Sequence, residues 1–468
     1  MKIFVSGATG VVGRRAVRAL VEEGHEVTAM ARTDEKARLV EGLGATAVRV
    51  GLFDGPALEQ AIAGHDVVVN LATSIPPVSR TLSRGAWAAN DRIRTEGSRV
   101  LADAALAGGA RRYVQESITF LYADGGTSWI DESSPVDVAS VTASAVDAEA
   151  SAARFTAAGG VGIVLRFGAF YGPDSAHTIA QLRAARMGLD PLPGRDDDYL
   201  SCISTDDAAT AVVAALRAPA GTYNVVDDHP LTRLDYDRAL AAALGVRRVR
   251  RPAVVNAIAG RAARHLARSQ RVSNRRFREA TGWAPHYASV TDGLPATIAA
   301  SPVGRVPTGA RRTRTLLGLL ALGALVVGAW AQFAPRSFYS SFPGGGRSWV
   351  SVDGPFNEHL VRDIGGLNLA LALLTIAAAV SLGRGLVRTA GGAWVVYGLP
   401  HLAYHAVHLA PLAAADRLAN VVVLGGTVVL GLLLLRWPGN EEATTVPLAG
   451  ALASPEGRVA GSRRAARV

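Results

Sequence analysis

Three glycines spaced three apart, Gly7, Gly10 and Gly13, are the residues of this 468-residue chain whose spacing speaks most directly of chemistry. They lie in Ser6-Gly7-Ala8-Thr9-Gly10-Val11-Val12-Gly13, directly behind an apolar run that begins at Ile3. A strand, a bare turn and the first turn of a helix converge backbone N–H groups on one point, which suits a dinucleotide pyrophosphate. A Cβ at Gly7 or Gly10 is expected to hold that ligand away, and one at Gly13 to part helix from sheet. Gly7, Thr9, Gly10, Val11, Val12 and Gly13 are the expected contacts. Glu116, at the carboxyl end of a later strand, points into the zone where parallel sheets bind ligands. Far downstream, His401, His405 and His408 recur at spacings of four and three, on one helical face with Tyr397 and Tyr404 nearby. Inside an apolar segment such a face suits metal, haem or quinone binding, or hydrogen bonding across a bundle.

The elements that must hold these residues divide the chain in two. Up to about Pro302, short β-rich runs alternate with amphipathic stretches, the pattern of a parallel α/β sheet. Strands are predicted at Lys2–Val5, Glu26–Ala29, Thr46–Val50, Val67–Leu71, Tyr113–Glu116 and Gly162–Arg166. Helices are predicted at Gly13–Glu23, Pro56–Ala63, with Asp54 as N-cap, and Ile93–Ala107. Residues 301–312, rich in Pro and Gly, read as a linker. Beyond it Leu316–Ala334, Ile364–Leu382, Ala390–Leu409 and Ala419–Leu435 are each long enough to cross a hydrocarbon core of ~30 Å. Four transmembrane helices over 313–437 and a disordered tail over 438–468 are expected. Basic residues flanking these helices place both termini on the cytoplasmic side of an inner membrane.

Composition narrows the chemistry. Lysine occurs only at Lys2 and Lys36, so the net charge of +10 is almost all arginine, and no lysine chemistry exists beyond residue 36. A single cysteine, Cys202, excludes an internal disulfide and a cysteine-cluster metal site. The arginines from Arg247 to Arg278 read as solvated or lipid-facing, with a bilayer rather than nucleic acid as the nearer partner.

Taken with further stretches, the glycine loop resembles the extended short-chain dehydrogenase/reductase family, in its epimerase/dehydratase branch. The stretches are Asp66–Ala72, Asn90, Leu165-Arg166-Phe167-Gly168-Ala169-Phe170-Tyr171-Gly172-Pro173, Ile203–Ala209 and Thr222–Val225. The resemblance covers roughly residues 1–295. It implies a doubly wound Rossmann domain over 1–300, with a small substrate lobe within about 168–295, fused to an all-α transmembrane bundle. It also implies that Leu71 and Ala72 lie beside the cofactor and that Asn90 braces the central strands. Arg32 stands where the family's acidic residue would hold a ribose 2′-hydroxyl, so NADP is expected, with NAD as the alternative because Asp34 is close by.

The resemblance also exposes a departure. The family moves hydride with a tyrosine and a lysine four residues apart, the lysine lowering the tyrosine pKa. Aligning Ser144 and Glu149 with its Tyr-x-x-Ser-Lys-x-x-x-Glu stretch puts Val141 and Ala145 at those positions. None of the ten tyrosines has a lysine four residues later. Glu116, Ser117 and Tyr122 are the candidates for a replacement acid/base set. The expectation is therefore a membrane-anchored NAD(P)-binding protein with an undefined small-molecule substrate. It acts either as an oxidoreductase or epimerase lacking the usual dyad, or as a non-catalytic, NAD(P)H-responsive binding protein.

Overall fold

In a computed structural model of the chain, which describes residues 1–77, 80–81, 83–252, 264–304, 309–352 and 354–437, two compact units meet in sequence after Gly304. The expected tail 438–468 lies outside the described residues, as do 305–308 of the expected linker and Arg261 of the arginine run.

The first unit is built on a seven-stranded parallel sheet: β1 (Lys2–Ser6), β2 (Glu26–Met30), β3 (Thr46–Val48), β4 (Val67–Asn70), β5 (Arg112–Ile118), β6 (Val161–Phe167) and β7 (Gly221–Val225). Their spatial order is β3-β2-β1-β4-β5-β6-β7. The strands are apolar on both faces because helices cover both sides, which is why they read as runs of Val, Ile and Leu. Strand order reverses between β1 and β4, and a doubly wound sheet opens a ligand crevice at that switch. The helix Gly55–Ile62 starts as expected, with the Asp54 carboxylate accepting from the Ala57 N–H at 3.2 Å.

One expected helix differs. In place of Ile93–Ala107, a helix starts at Ala88 and widens into a π-helical turn over Ile93–Gly97 before continuing as Ser98–Ala107. The wider turn buries Arg94. Asn90 also departs from expectation: it accepts from the Ser74 N–H at 3.0 Å and so holds the loop after β4. The central strands are braced by Asn70 instead, whose amide donates to Ser98 Oγ at 3.1 Å and Gln115 Oε1 at 3.0 Å.

The lobe carries its own apolar core, with Tyr171, Leu182, Leu200, Leu240 and Leu294. Here the arginine run is not a continuous surface. Arg251 is buried between Asp190 (2.9 Å) and Asp237 (3.1 Å). Arg268 is buried too, donating to the Tyr122 carbonyl at 3.0 Å and pairing with Asp137. Buried carboxylates and carbonyls needed these donors, so the lipid-facing reading fails for both residues.

The second unit contains four long helices, Ala310–Phe333, Glu358–Ser381, Arg384–Val407 and Ala414–Leu435. Three of them are long and apolar enough to cross a membrane. The expectation of four spans is corrected at Arg384–Val407, where Arg384, Arg388, His401 and His405 dilute an already small-residue helix. Glycines let the helices approach closely. A Cβ on Gly391 would lie 2.8 Å from the Gly431 carbonyl oxygen, and one on Gly365 would lie 2.6 Å from Gln332 N. Polar pins lock the interior: Trp394 Nε1 donates to Thr375 Oγ1 at 3.0 Å, and Asn368 Nδ2 to the Tyr397 hydroxyl at 3.1 Å.

Candidate functional site

The glycine loop occupies the switch point. Gly7 sits at φ +76°, and a Cβ there would fall 2.4 Å from the Leu71 carbonyl carbon and 2.5 Å from Ala72 N. Leu71 and Ala72, at the carboxyl end of β4, thus form the other wall of the loop. A Cβ on Gly13 would lie 2.1 Å from the Gly7 carbonyl oxygen, so glycine at 13 protects the turn itself rather than a gap between helix and sheet. Gly10 is freer, its added Cβ meeting only Gly7 O at 3.3 Å. Gly10 is exposed and Thr9 and Val11 are half-buried, whereas Val12 and Gly13 are buried. No side chain caps the helix Gly13–Glu22. The Gly10 carbonyl takes the Arg14 N–H at 3.1 Å, so what fits a dinucleotide pyrophosphate here is the Cβ-free turn that lets a ligand approach the start of the helix.

Charged residues tie the start of that helix to the lobe. Arg14 and Arg15 both pair with Asp174, and Arg15 also reaches Asp206 at 2.5 Å. Arg32 lies exposed just past β2. Asp34, the residue that would favour a free ribose, is paired with Arg49.

At the carboxyl edge of β5, β6 and β7, Ser117, Arg166 and Asn224 stand in register across three adjacent strands. The Ser117 hydroxyl donates to Glu149 Oε1 at 2.6 Å. Arg166 grips both oxygens of the same carboxylate at 2.7 Å and lies 4.9 Å over the Tyr122 ring. The Tyr122 hydroxyl donates to Asn224 Oδ1 at 2.8 Å. Burial pushes Tyr122 above the ordinary tyrosine range, more strongly than the Arg166 charge lowers it. The structure thus joins Ser117 and Tyr122 through one network. Glu116 stays apart from it, buried and held at 2.7 and 3.0 Å by Arg94 from the π-helical turn.

Glu149 and Arg166 were legible only as motif letters. The signal for their pairing is an arginine inside the apolar strand Val161–Phe167, which requires a counter-charge, and one acid at the matching depth of an Ala-rich helix. Val141 lies ahead of that helix, Ala143–Ala157, and Ala145 is fully buried within it, one turn before Glu149.

His401 and His405 lie along Arg384–Val407 with tilted rings and centroids 5.0 Å apart, while His408 stacks on Tyr404 and its Nδ1–H donates to the Tyr404 carbonyl at 2.8 Å. No group of three or more His, Cys, Asp or Glu among the described residues is arranged to hold a metal.

With this geometry in place, four likenesses bear on it. The NAD dependent epimerase/dehydratase family matches residues 3–226. The chain is 34% identical over 306 residues to a 3-diazoavenalumate denitrifying reductase from a Streptomyces species, covering 63% of this chain and 99% of that protein. It is 28% identical to a 4-hydroxy-2-methyl-3-oxo-4-farnesyl-3,4-dihydroquinoline-1-oxide ketoreductase of Stigmatella aurantiaca, over 58% of this chain and 80% of that one. Among solved structures, the human epimerase family protein SDR39U1 with NADPH shares the fold at TM-score 0.52 and 23% identity, over 65% of this chain and all of that one.

Proposed function

We propose, for a chain that belongs to the NAD dependent epimerase/dehydratase family, that its first unit is an NAD(P)H-dependent reductase carried on a membrane-embedded helical unit. The observation that carries this reading is the 34% identity over 99% of a reductase's length, in a chain that keeps the whole glycine loop. A bound reduced nicotinamide would supply hydride. Gly7, Thr9, Gly10, Val11, Val12 and Gly13 hold the pyrophosphate, with Leu71 and Ala72 alongside. Arg32, exposed beyond β2, takes a 2′-phosphate, which makes NADP the preferred dinucleotide. Ser117 presents its hydroxyl to the substrate from the end of β5. Glu149 and Arg166 orient that hydroxyl, Glu116 is fixed behind it by Arg94, and Tyr122 positions the β6–β7 edge. A diazo-bearing arene, the substrate class in the Streptomyces relative's name, is the first acceptor to try.

In the second unit the contacts Arg314 Nε to the Ala379 carbonyl (3.3 Å) and Arg388 Nε to the Trp437 carbonyl (3.1 Å) bring helix ends together. Arg311, Arg312, Arg314, Arg384, Arg388 and Arg436 therefore share one end. At the other end Arg347 and Arg362 pair with Asp416 and Glu358. The unbalanced basic end faces the cytoplasm, on the side of the dinucleotide pool, with both termini.

A second reading, a non-catalytic NAD(P)H-responsive binding protein, is favoured by Val141 and Ala145, which carry no ionisable group. Nicotinamide fluorescence of the purified full chain with NADPH, then with acceptors, separates the two. Binding with oxidation of NADPH supports the reductase; binding without oxidation across diazo, ketone and quinone acceptors supports the binding protein. No binding of NADPH or NADH overturns both.

A further inference from the structure

The two ends of the helical unit treat their arginines differently. At one end every guanidinium is engaged. Arg347 pairs with Asp416 and Arg362 with Glu358, Arg336 lies 5.1 Å over the Phe356 ring, and Arg417 Nε donates to the Leu412 carbonyl at 2.8 Å. At the other end Arg311, Arg312, Arg314, Arg384, Arg388 and Arg436 meet no carboxylate among the described residues of the unit. The sequence itself enforces this, since it holds no Asp or Glu over 293–352, 364–415 or 417–440.

That same end is tied together around one side chain. Trp437 is buried, its Nε1 donates to the Leu382 carbonyl at 3.4 Å, and a Cβ on Gly309 would lie 3.7 Å from its ring. Arg388 Nε donates to the Trp437 carbonyl at 3.1 Å, and Arg314 Nε to the Ala379 carbonyl at 3.3 Å. Carbonyls at the ends of Ala414–Leu435 and Glu358–Ser381 are thus taken by arginine. Each bond fixes one edge of a guanidinium and leaves its terminal nitrogens without an acceptor among the described residues of the unit. Both forks are therefore oriented before any ligand arrives. Ala310–Phe333 and Arg384–Val407 start at this end, after Gly309 and Gly383, with no side-chain cap. The negative helix ends are filled while the positive ones stay open.

Resting on the membrane-embedded reading of this unit, we propose that the end around Trp437 binds the headgroup of an anionic phospholipid, a phosphodiester carrying no cation of its own. The phosphate oxygens accept from the forks of Arg314 and Arg388. The uncapped helix starts add N–H groups, and Arg311, Arg312, Arg384 and Arg436 keep the surrounding potential positive. A zwitterionic lipid brings an ammonium that these arginines repel. A basic flank alone sets orientation and asks for no particular lipid. Anchored forks and open helix starts gathered at one indole make a site.

The test takes the full chain in an uncharged detergent and counts retained lipids by native mass spectrometry, on titration with dioleoylphosphatidylglycerol or dioleoylphosphatidylcholine. The first is expected to be retained at concentrations about tenfold or more below the second, the worth of a hydrogen bond to a charged group. Arg388→Gln should remove about tenfold of that affinity, whereas Arg336→Gln, the equal charge loss at the other end, should change it less than about twofold. Should Arg388→Gln not fold, Arg312→Gln, an exposed residue with no partner among the described residues of the unit, carries the test with a loss of about fivefold. Exchanging Glu441 and Glu442, the next acids in the sequence, for Gln should leave phosphatidylglycerol binding as it is; a tenfold rise, on the order of one charged contact, would give the site to those carboxylates. Equal retention of the two lipids, equal losses in Arg388→Gln and Arg336→Gln, or displacement of the lipid by millimolar inorganic phosphate also overturns the proposal. All of these leave the membrane reading standing. That reading fails instead if sodium carbonate strips the chain from membranes without detergent.

Discussion

At the residue scale, each glycine of the loop answers a different constraint, and that makes their substitutions unequal. Gly7 is held by its positive φ and by the backbone of Leu71, and Gly13 by the Gly7 carbonyl, so any Cβ at either position breaks the turn. Gly10 has room, so Gly10→Asp is the informative variant. It should fold as the parent does and bind NADPH at least about tenfold more weakly, because a carboxylate then faces the pyrophosphate; nicotinamide fluorescence reads the change. Arg32→Glu should cost NADPH about 1.5–3 kcal/mol, the worth of a hydrogen bond to a charged group, and leave NADH affinity within a few-fold. Equal losses for the two dinucleotides would remove Arg32 from the 2′-phosphate. The place of the glycines in a turn and of Arg32 just past a strand end was readable in sequence, because a turn and a strand end constrain local chain geometry. The Ser117–Glu149–Arg166–Tyr122 network was not, since its members are 5 to 49 residues apart in the chain.

At the element scale, the lobe's buried ion cluster makes a pH prediction. Burial, and then the neighbouring Asp190 carboxylate, push Asp237 up to about 8. A carboxyl whose folded pKa exceeds its unfolded value holds more protons when folded, so its contribution is full below about pH 4 and is lost as pH rises towards 8. The melting temperature of the full chain should therefore fall across that interval, and Asp237→Asn should flatten the decline. An unchanged slope in the variant would assign the titration elsewhere. In the helical unit, Gly391→Val should separate Arg384–Val407 from Ala414–Leu435, because its side chain would have to occupy the place of the Gly431 carbonyl. A loss of about 1–3 kcal/mol, typical of overpacking, should lower the melting temperature in detergent. The π-helical turn over Ile93–Gly97 lay beyond sequence reasoning, since a periodicity of 3.6 continues on both sides of it.

At the scale of the whole molecule, the arrangement pairs a dinucleotide unit with helices apolar enough for a bilayer, and its topology is open to a direct test. Cys202 is buried, so an introduced cysteine can be labelled selectively in intact cells. Gly345→Cys, at the charge-balanced end, should react with an impermeant maleimide, whereas Gly385→Cys, at the basic end, should react only after permeabilisation. The reverse pattern would invert the orientation. The sequence by itself determined the β/α alternation, the glycine turn, three of the four expected apolar spans and the lack of any lysine after residue 36, because each is a property of local pattern or simple count. The tertiary structure alone decided that Arg251 and Arg268 are interior counter-charges, that Asn70 rather than Asn90 braces the sheet, and that Ser117 and Tyr122 meet through Glu149, Arg166 and Asn224. Those outcomes depend on which distant charges share a desolvated space, and the cost of leaving a buried charge unpaired acts only once the chain has folded around it.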